Sequence, residues 1–503
     1  MLTLLIVILL LGAAIAWLAE RQSTEAPRLV ALATLGIALL LLLPLLFNTA
    51  NGVLIAVQGD SWILLERHAW IPRFGISWLL AMDGMSLLLV LLTLVLGLIA
   101  IASSWTEIRE RQGFFYFNLL ACLAGVVGVF TALDLFLFFV FWEVMLIPVY
   151  FLIGIWGHED RHYAALKFVI FTQVSSLLML IAIVGLALLH HQHSGSYSFD
   201  YFDLLGSGNR SPYGFWLMLG LFIAFVVKLP AFPLHTWLPD AHTQAPTAGS
   251  VILAGVLLKT GAYGLIRFLI PLFPDSLDSF APVGMTIGVI GIFYGALLAF
   301  AQTDLKRLIA YSSISHMGFI LLGVYAWNAV ALQGAVMQML THGFSAAALF
   351  MLAGAVQQRI HSRDMRQMGG LWSQAPRMAA IALFFAMASL GIPGLGNFIA
   401  EFMVLIGSFQ ANVAATVLAT MGLVGAAVYS LIMIQRVFHG QQQTTHSLAD
   451  FDRRELATMT LMMLALLMLG LYPQPTLNLL QPVMEQLQLL AQHSTHQLAG
   501  VMR

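Results

Sequence analysis

Apolar residues run through this chain in long blocks, and polar residues are confined mostly to the short stretches between them. Fourteen blocks approach or exceed the roughly 20 residues that cross a bilayer at about 1.5 Å of rise each. They lie near 2–18, 29–47, 77–103, 114–131, 134–156, 165–190, 213–238, 247–270, 282–302, 308–326, 331–357, 378–408, 413–436 and 456–472. Each predicts a helix, because a backbone inside lipid must satisfy its own hydrogen bonds. The first block has no basic start and no small-residue cleavage site before Glu20-Arg21, so it reads as a retained helix and not as a cleaved signal. The fold class expected is an all-α membrane protein of about 14 transmembrane helices.

Composition agrees with the pattern. Of 503 residues, 60% are hydrophobic and 9% charged, whereas soluble domains carry about 25% charged residues. The one cysteine, Cys122, lies inside an apolar block, which excludes an internal disulfide and a thiolate cluster. No glycine loop of the phosphate-cradling kind stands in a strand–helix context, so direct use of ATP or a nicotinamide is not expected. No nucleophile or metal set suggests a lipid-acting enzyme. With the amino terminus outside, fifteen basic residues fall in inside loops, among them Arg109, Arg111, Arg161, Lys167, Lys306 and Arg307. Only Arg67, Arg73, Arg210 and Arg503 fall outside, and that asymmetry predicts both termini on the outer face.

The remaining basic residues, Lys228, Lys259 and Arg267, sit within blocks. Arg267 is close enough to a helix end to snorkel outward, but Lys228 and Lys259 are central, where an unpaired charge costs at least about 2.5–3.5 kcal/mol. Glu143 and Glu401 are the candidate partners, and His316 and His342 also fall mid-block. These six residues, on six helices, read as a hydrated relay for protons or small cations. Burial favours the neutral forms of lysine and carboxylate, an adjacent opposite charge reverses that, and histidine titrates near neutrality. The plainer reading is that a Lys–Glu pair only fastens helices and that a membrane histidine only satisfies a carbonyl. Asp83 reads as interfacial and Asp134 as a helix-end residue; His235, Asp240 and His242 suit either proton access or loop capping.

Proline and glycine interrupt two blocks beside these charges: Pro230 and Pro233 after Lys228, and Gly391, Pro393, Gly394 and Gly396 before Glu401. Interrupted helices at membrane depth mark ion sites in transporters. Their spacing of about 160 residues predicts two inverted five-helix repeats, each with a broken helix. The expected layout is 1–112 for three leading helices, 113–272 and 273–440 for the repeats, and 441–503 for the last helix and tail. A third interruption is expected at Gly343, beside His342.

The run from Lys228 through Leu-Pro-Ala-Phe-Pro-Leu-His235-Thr-Trp-Leu-Pro-Asp240-Ala-His242-Thr-Gln-Ala-Pro246 to Ser250, followed by Leu258-Lys259-Thr-Gly-Ala-Tyr, is long and specific. With Phe141-Trp142-Glu143, Ala301-Gln302-Thr303-Asp304-Leu305-Lys306-Arg307, Ser315-His316-Met317-Gly318 and Met368-Gly369-Gly370-Leu371, it resembles the antiporter-like membrane-arm subunits of proton-pumping NADH:quinone oxidoreductase, respiratory complex I. Sister subunits have a lysine where this chain has Glu401, and several carry one at the position of Ala346, so the resemblance is to the M type, chain 4 in mitochondria.

The resemblance implies that Glu143 and Lys228 load and release protons, that Lys259, His316 and His342 pass them laterally, and that Glu401 serves the exit side. It implies no cofactor and no metal in this chain, NADH, FMN, iron–sulfur clusters and quinone being handled by partner subunits. Partners would be the other membrane-arm subunits, sister antiporter-like subunits included, with no nucleic acid, in a bacterial inner (plasma) membrane. Alternatives are a subunit of a multisubunit sodium/proton antiporter or membrane-bound hydrogenase, or a non-transporting structural membrane subunit.

Overall fold

The computed structural model describes residues 1–50, 62–441 and 448–501. Arg503, counted above among the outside basic residues, lies outside them. Twelve of the described helices are long and apolar enough to span a bilayer. The other two expected spans are the interrupted ones. Block 213–238 becomes Gly214–Lys228 and, after a non-helical stretch, Trp237–Gln244. Block 378–408 becomes Pro376–Ser389 and Gly396–Ala411. The protein is thus an all-α membrane protein, with both expected breaks present.

Hydropathy did not separate one element. Residues Trp62–Ile71 and Ile76–Asp83 pair as an antiparallel hairpin, Leu65 opposite Ala81. The apolar strand runs straight into the helix Gly84–Ser104, so block 77–103 fused the two. Asp83 ends the strand and caps the helix, its side chain accepting from the Ser86 amide. Gly75 closes the hairpin at φ +69°, and a side chain there would meet the Tyr197 carbonyl at 1.9 Å. The hairpin marks one face of the bundle. Glu66 accepts from the Leu2 and Thr3 amides at 2.8 and 3.0 Å, and Ser77 donates to Asp134 at 2.8 Å.

The third interruption is absent: Ala329–Ile360 is continuous through Gly343. That glycine serves close packing instead, since an added Cβ would stand 2.9 Å from Leu92 and 3.0 Å from the Gly255 carbonyl. The irregularity lies in the neighbouring span Thr247–Leu272, which carries π-helical stretches at Leu253–Leu257 and Leu265–Leu269, one on each side of Lys259.

Candidate functional site

Four of the six expected site residues form one buried cluster. Lys259 lies on a span that is buried throughout its length. Its ammonium donates to the Ala254 carbonyl and lies 2.8 Å from His342 Nδ1. The rings of His342 and His316 are 5.4 Å apart between centroids. His316 Nδ1 lies 3.0 Å from Glu401 Oε1. Lys259, His342, His316 and Glu401 come from four helices, and each is at most 3% exposed.

Three residues that the sequence left unmarked hold this row. Gln338 donates to Glu401 Oε1 at 3.0 Å and lies 3.3 Å from His316 Nδ1. Ser389, the last residue before the second break, and Tyr429 lie 3.1 and 3.2 Å from His316 Nε2. Isolated Ser, Tyr and Gln are ordinary in apolar helices, so only the fold reveals their role. Gly391 takes φ +80°, and a Cβ there would stand 2.9 Å from Glu401 Oε2. The second break therefore leaves the room that the Glu401 carboxylate occupies.

The other two residues stand apart. Lys228 ends its half-helix fully buried, its Nζ without a hydrogen-bond partner, 5.2 Å from the Trp142 ring and 5.6 Å from that of Phe168. Glu143 lies at the junction of Leu135–Val144 and Leu146–Trp156, and its Oε1 also lacks a partner. The expected Glu143–Lys228 pair is not in contact here. His342 Nε2 and both ring nitrogens of His235 and His242 are likewise buried without partners.

Several neighbouring expectations are corrected. Arg267 does not snorkel: it is 2% exposed and pairs with Asp83, which is itself buried at the start of its helix. The Arg267 guanidinium also covers the Trp62 ring at 4.9 Å. Lys306, assigned to a loop, is fully buried with the Ala245 carbonyl at 3.1 Å and His158 at 3.4 Å. Asp240 is tied to Lys167 at 2.6 Å and Arg307 at 2.9 Å. Asp134 caps its helix as expected, accepting from Phe136 and Leu137. On the face away from the hairpin, a cleft of about 370 Å³ is lined by His158, Asp304, Gln357 and Arg363 among others. Burial, with the charges of Lys306 and Arg363, pushes His158 down to about 4. Among the described residues, no three His, Cys, Asp or Glu are grouped as a metal ion would need.

Interrupted helices meeting ionisable groups in the interior define a polytopic membrane protein of the antiporter-like class. The NADH:quinone oxidoreductase/Mrp antiporter, TM family matches residues 132–428, which include both breaks and all six site residues. The chain is 54% identical over 484 residues to NADH-quinone oxidoreductase subunit M of Pseudomonas aeruginosa, covering 94% of this chain and 95% of that one. It is 52% identical over 482 residues to the subunit of the same name from Escherichia coli strain K12, covering 94% and 95%. A chain of respiratory complex I from Thermus thermophilus matches with TM-score 0.87 at 30% identity, over 98% of this chain and 100% of that chain. A chain of the Mrp complex from Dietzia sp. DQ12-45-1b shares the fold, with TM-score 0.85 at 23% identity over 97% of each. The chain belongs to the family of antiporter-like M subunits of NADH:quinone oxidoreductase.

Proposed function

We propose that this chain translocates protons as the M-type membrane-arm subunit of an NADH:quinone oxidoreductase, through Glu143, Lys228, Lys259, His342, His316 and Glu401. The observation that carries the reading is the run of contacts from Lys259 to His342 at 2.8 Å and from His316 to Glu401 at 3.0 Å, joined by two imidazoles tilted against each other with centroids 5.4 Å apart. Titratable groups are expensive in an apolar interior and are retained there for function. A lysine hands its proton to a neutral imidazole, and each imidazole accepts at one nitrogen while releasing from the other. Gln338, Ser389 and Tyr429 hold the His316 ring and the Glu401 carboxylate at transfer distance. Lys228 Nζ and Glu143 Oε1, without hydrogen-bond partners, belong to the groups whose approach and separation change proton affinity and so load the row.

NADH, FMN, iron–sulfur clusters and quinone belong to partner subunits, and this chain adds no cofactor or metal of its own. The membrane-arm partners include sister antiporter-like subunits. The chain lies in a bacterial inner membrane with both termini, and therefore the hairpin, on the periplasmic face, as the fifteen-to-four basic asymmetry favours. Residues 113–272 and 273–440 act as two inverted halves, one around each break. The test is NADH-driven acidification of inverted membrane vesicles carrying Lys259→Met, with assembly of the host complex measured alongside. Loss of pumping in an assembled complex supports the relay. Normal pumping in an assembled complex rejects it.

A further inference from the structure

Lys259, Tyr263 and Arg267 recur at four-residue steps, which sets them along one face of the span Thr247–Leu272, with Arg267 toward the hairpin. The Tyr263 hydroxyl donates to the Phe130 carbonyl at 3.1 Å and lies 3.3 Å from Ser86 Oγ. The Ser86 amide donates to Asp83 at 2.9 Å, and Asp83 pairs with Arg267. A polar ladder thus runs from Tyr263, one helical turn beyond Lys259, through Ser86 to the residue it caps, Asp83, and so to a buried ion pair against Trp62 of the hairpin.

That pair differs from the ion pairs that merely clamp elements together. Arg359 spends every donor group, two on Glu455 at 3.1 and 2.8 Å, and others on the carbonyls of Ala449, Asp450 and Ala355. Arg267 leaves its Nε without a partner, and the Trp62 indole N–H against it is also buried and unpartnered. Buried donors are nearly always satisfied by protein or ordered water, so two orphans beside a carboxylate mark a place for water. Arg267 also stands inside a π-helical stretch, a wide turn that recurs at functional sites.

We propose that the Asp83–Arg267 pair is a gate on the hairpin face, closed in this structure, and that Tyr263 and Ser86 carry protons between it and Lys259; the inference rests on Lys259 being part of a proton relay. Each hydroxyl accepts one proton and gives up another, so no charge remains on the ladder. When the pair parts, water reaches Ser86 and the row connects to the hairpin side. While it is closed, Trp62 and the guanidinium exclude that water.

The experiment uses inverted vesicles containing the assembled host complex, without NADH, and follows the decay of an imposed pH gradient. The double variant Asp83→Asn with Arg267→Gln removes both charges and keeps comparable volume. It is expected to leak several-fold faster than wild type, and adding Tyr263→Phe is expected to return the leak to the wild-type rate, which a merely structural pair gives no reason for. An unchanged leak in the assembled double variant, or a leak indifferent to Tyr263→Phe, overturns the gate. Should the double variant fail to assemble, Tyr263→Phe alone decides: fewer protons pumped per NADH supports the ladder, and an unchanged yield overturns it. If Lys259→Met abolishes pumping while the double variant stays tight, the relay stands and only the gate falls.

Discussion

Among the described residues, His342 is the only side chain hydrogen-bonded to the Lys259 amine, at 2.8 Å, and its ring lies 5.4 Å from that of His316. His342→Leu removes the titratable ring that stands between the Lys259 amine and His316, and proton transfer works over roughly 2.6–3.2 Å or through one water. It also leaves the amine with only the Ala254 carbonyl. Losing a hydrogen bond to a charged group costs about 1.5–3 kcal/mol. At about 1.4 kcal/mol per factor of ten, that loss at the transfer step corresponds to at least roughly tenfold in rate. The rate of NADH-driven acidification in inverted vesicles is therefore expected to fall at least about tenfold, with the complex assembled on native gels. His342→Gln puts an acceptor back beside Lys259 and is expected to recover stability without recovering transport, since an amide does not exchange protons as an imidazole does. Normal acidification by an assembled His342→Leu complex, or full rescue by glutamine, would refute the argument.

Three further outcomes are expected. Lys228→Met removes a buried amine with no hydrogen-bond partner, so it should leave the complex no less heat-stable, and up to about 1–3 kcal/mol more so, while abolishing transport; a lowered melting temperature would show that the contacts of the amine with the Trp142 and Phe168 rings stabilise the fold. Gly391→Ala sets a Cβ 2.9 Å from Glu401 Oε2 at φ +80°, a backbone cost of roughly 1–2 kcal/mol, and should cut proton transport in complexes that still assemble; unchanged transport would mean that Glu401 needs no such room. His158 binds its proton less well in the folded chain, at about 4, than the ordinary 6.5. The unfolded chain therefore takes up more protons between those values, and stability should fall as pH drops from 6.5 toward 4. His158→Gln should flatten that slope in thermal melts against pH, and an unaltered slope would assign it elsewhere.

The six residues of the proposed relay stood out because ionisable groups inside an apolar block have few explanations, and the two breaks because proline and glycine cannot continue a helix in lipid. What surrounds them was not. Gln338, Ser389 and Tyr429 matter only through where helices distant in sequence bring them. Lys306 stands two residues after Asp304 and just before block 308–326, so hydropathy placed it in a loop, and the fold buries it under His158. Arg267 was expected to reach for solvent because its partner, Asp83, is 184 residues away. Gly343 looked like a break, although a glycine in a membrane helix equally lets a neighbour approach, here Leu92 and Gly255. The hairpin escaped because an apolar strand and an apolar helix share one hydropathy and differ only in period.

The buried row draws each of its four ionisable groups from a different helix, and those helices lie far apart along the chain, from Thr247 to Ala411. No helix or adjacent pair of helices contains a continuous path. A chain caught partway through insertion, or one that has lost its second interrupted helix, therefore holds isolated charges and no conductor. The proposed wire exists only once tertiary packing is complete, so on that reading synthesis of this subunit does not short-circuit the membrane that it later helps to energise.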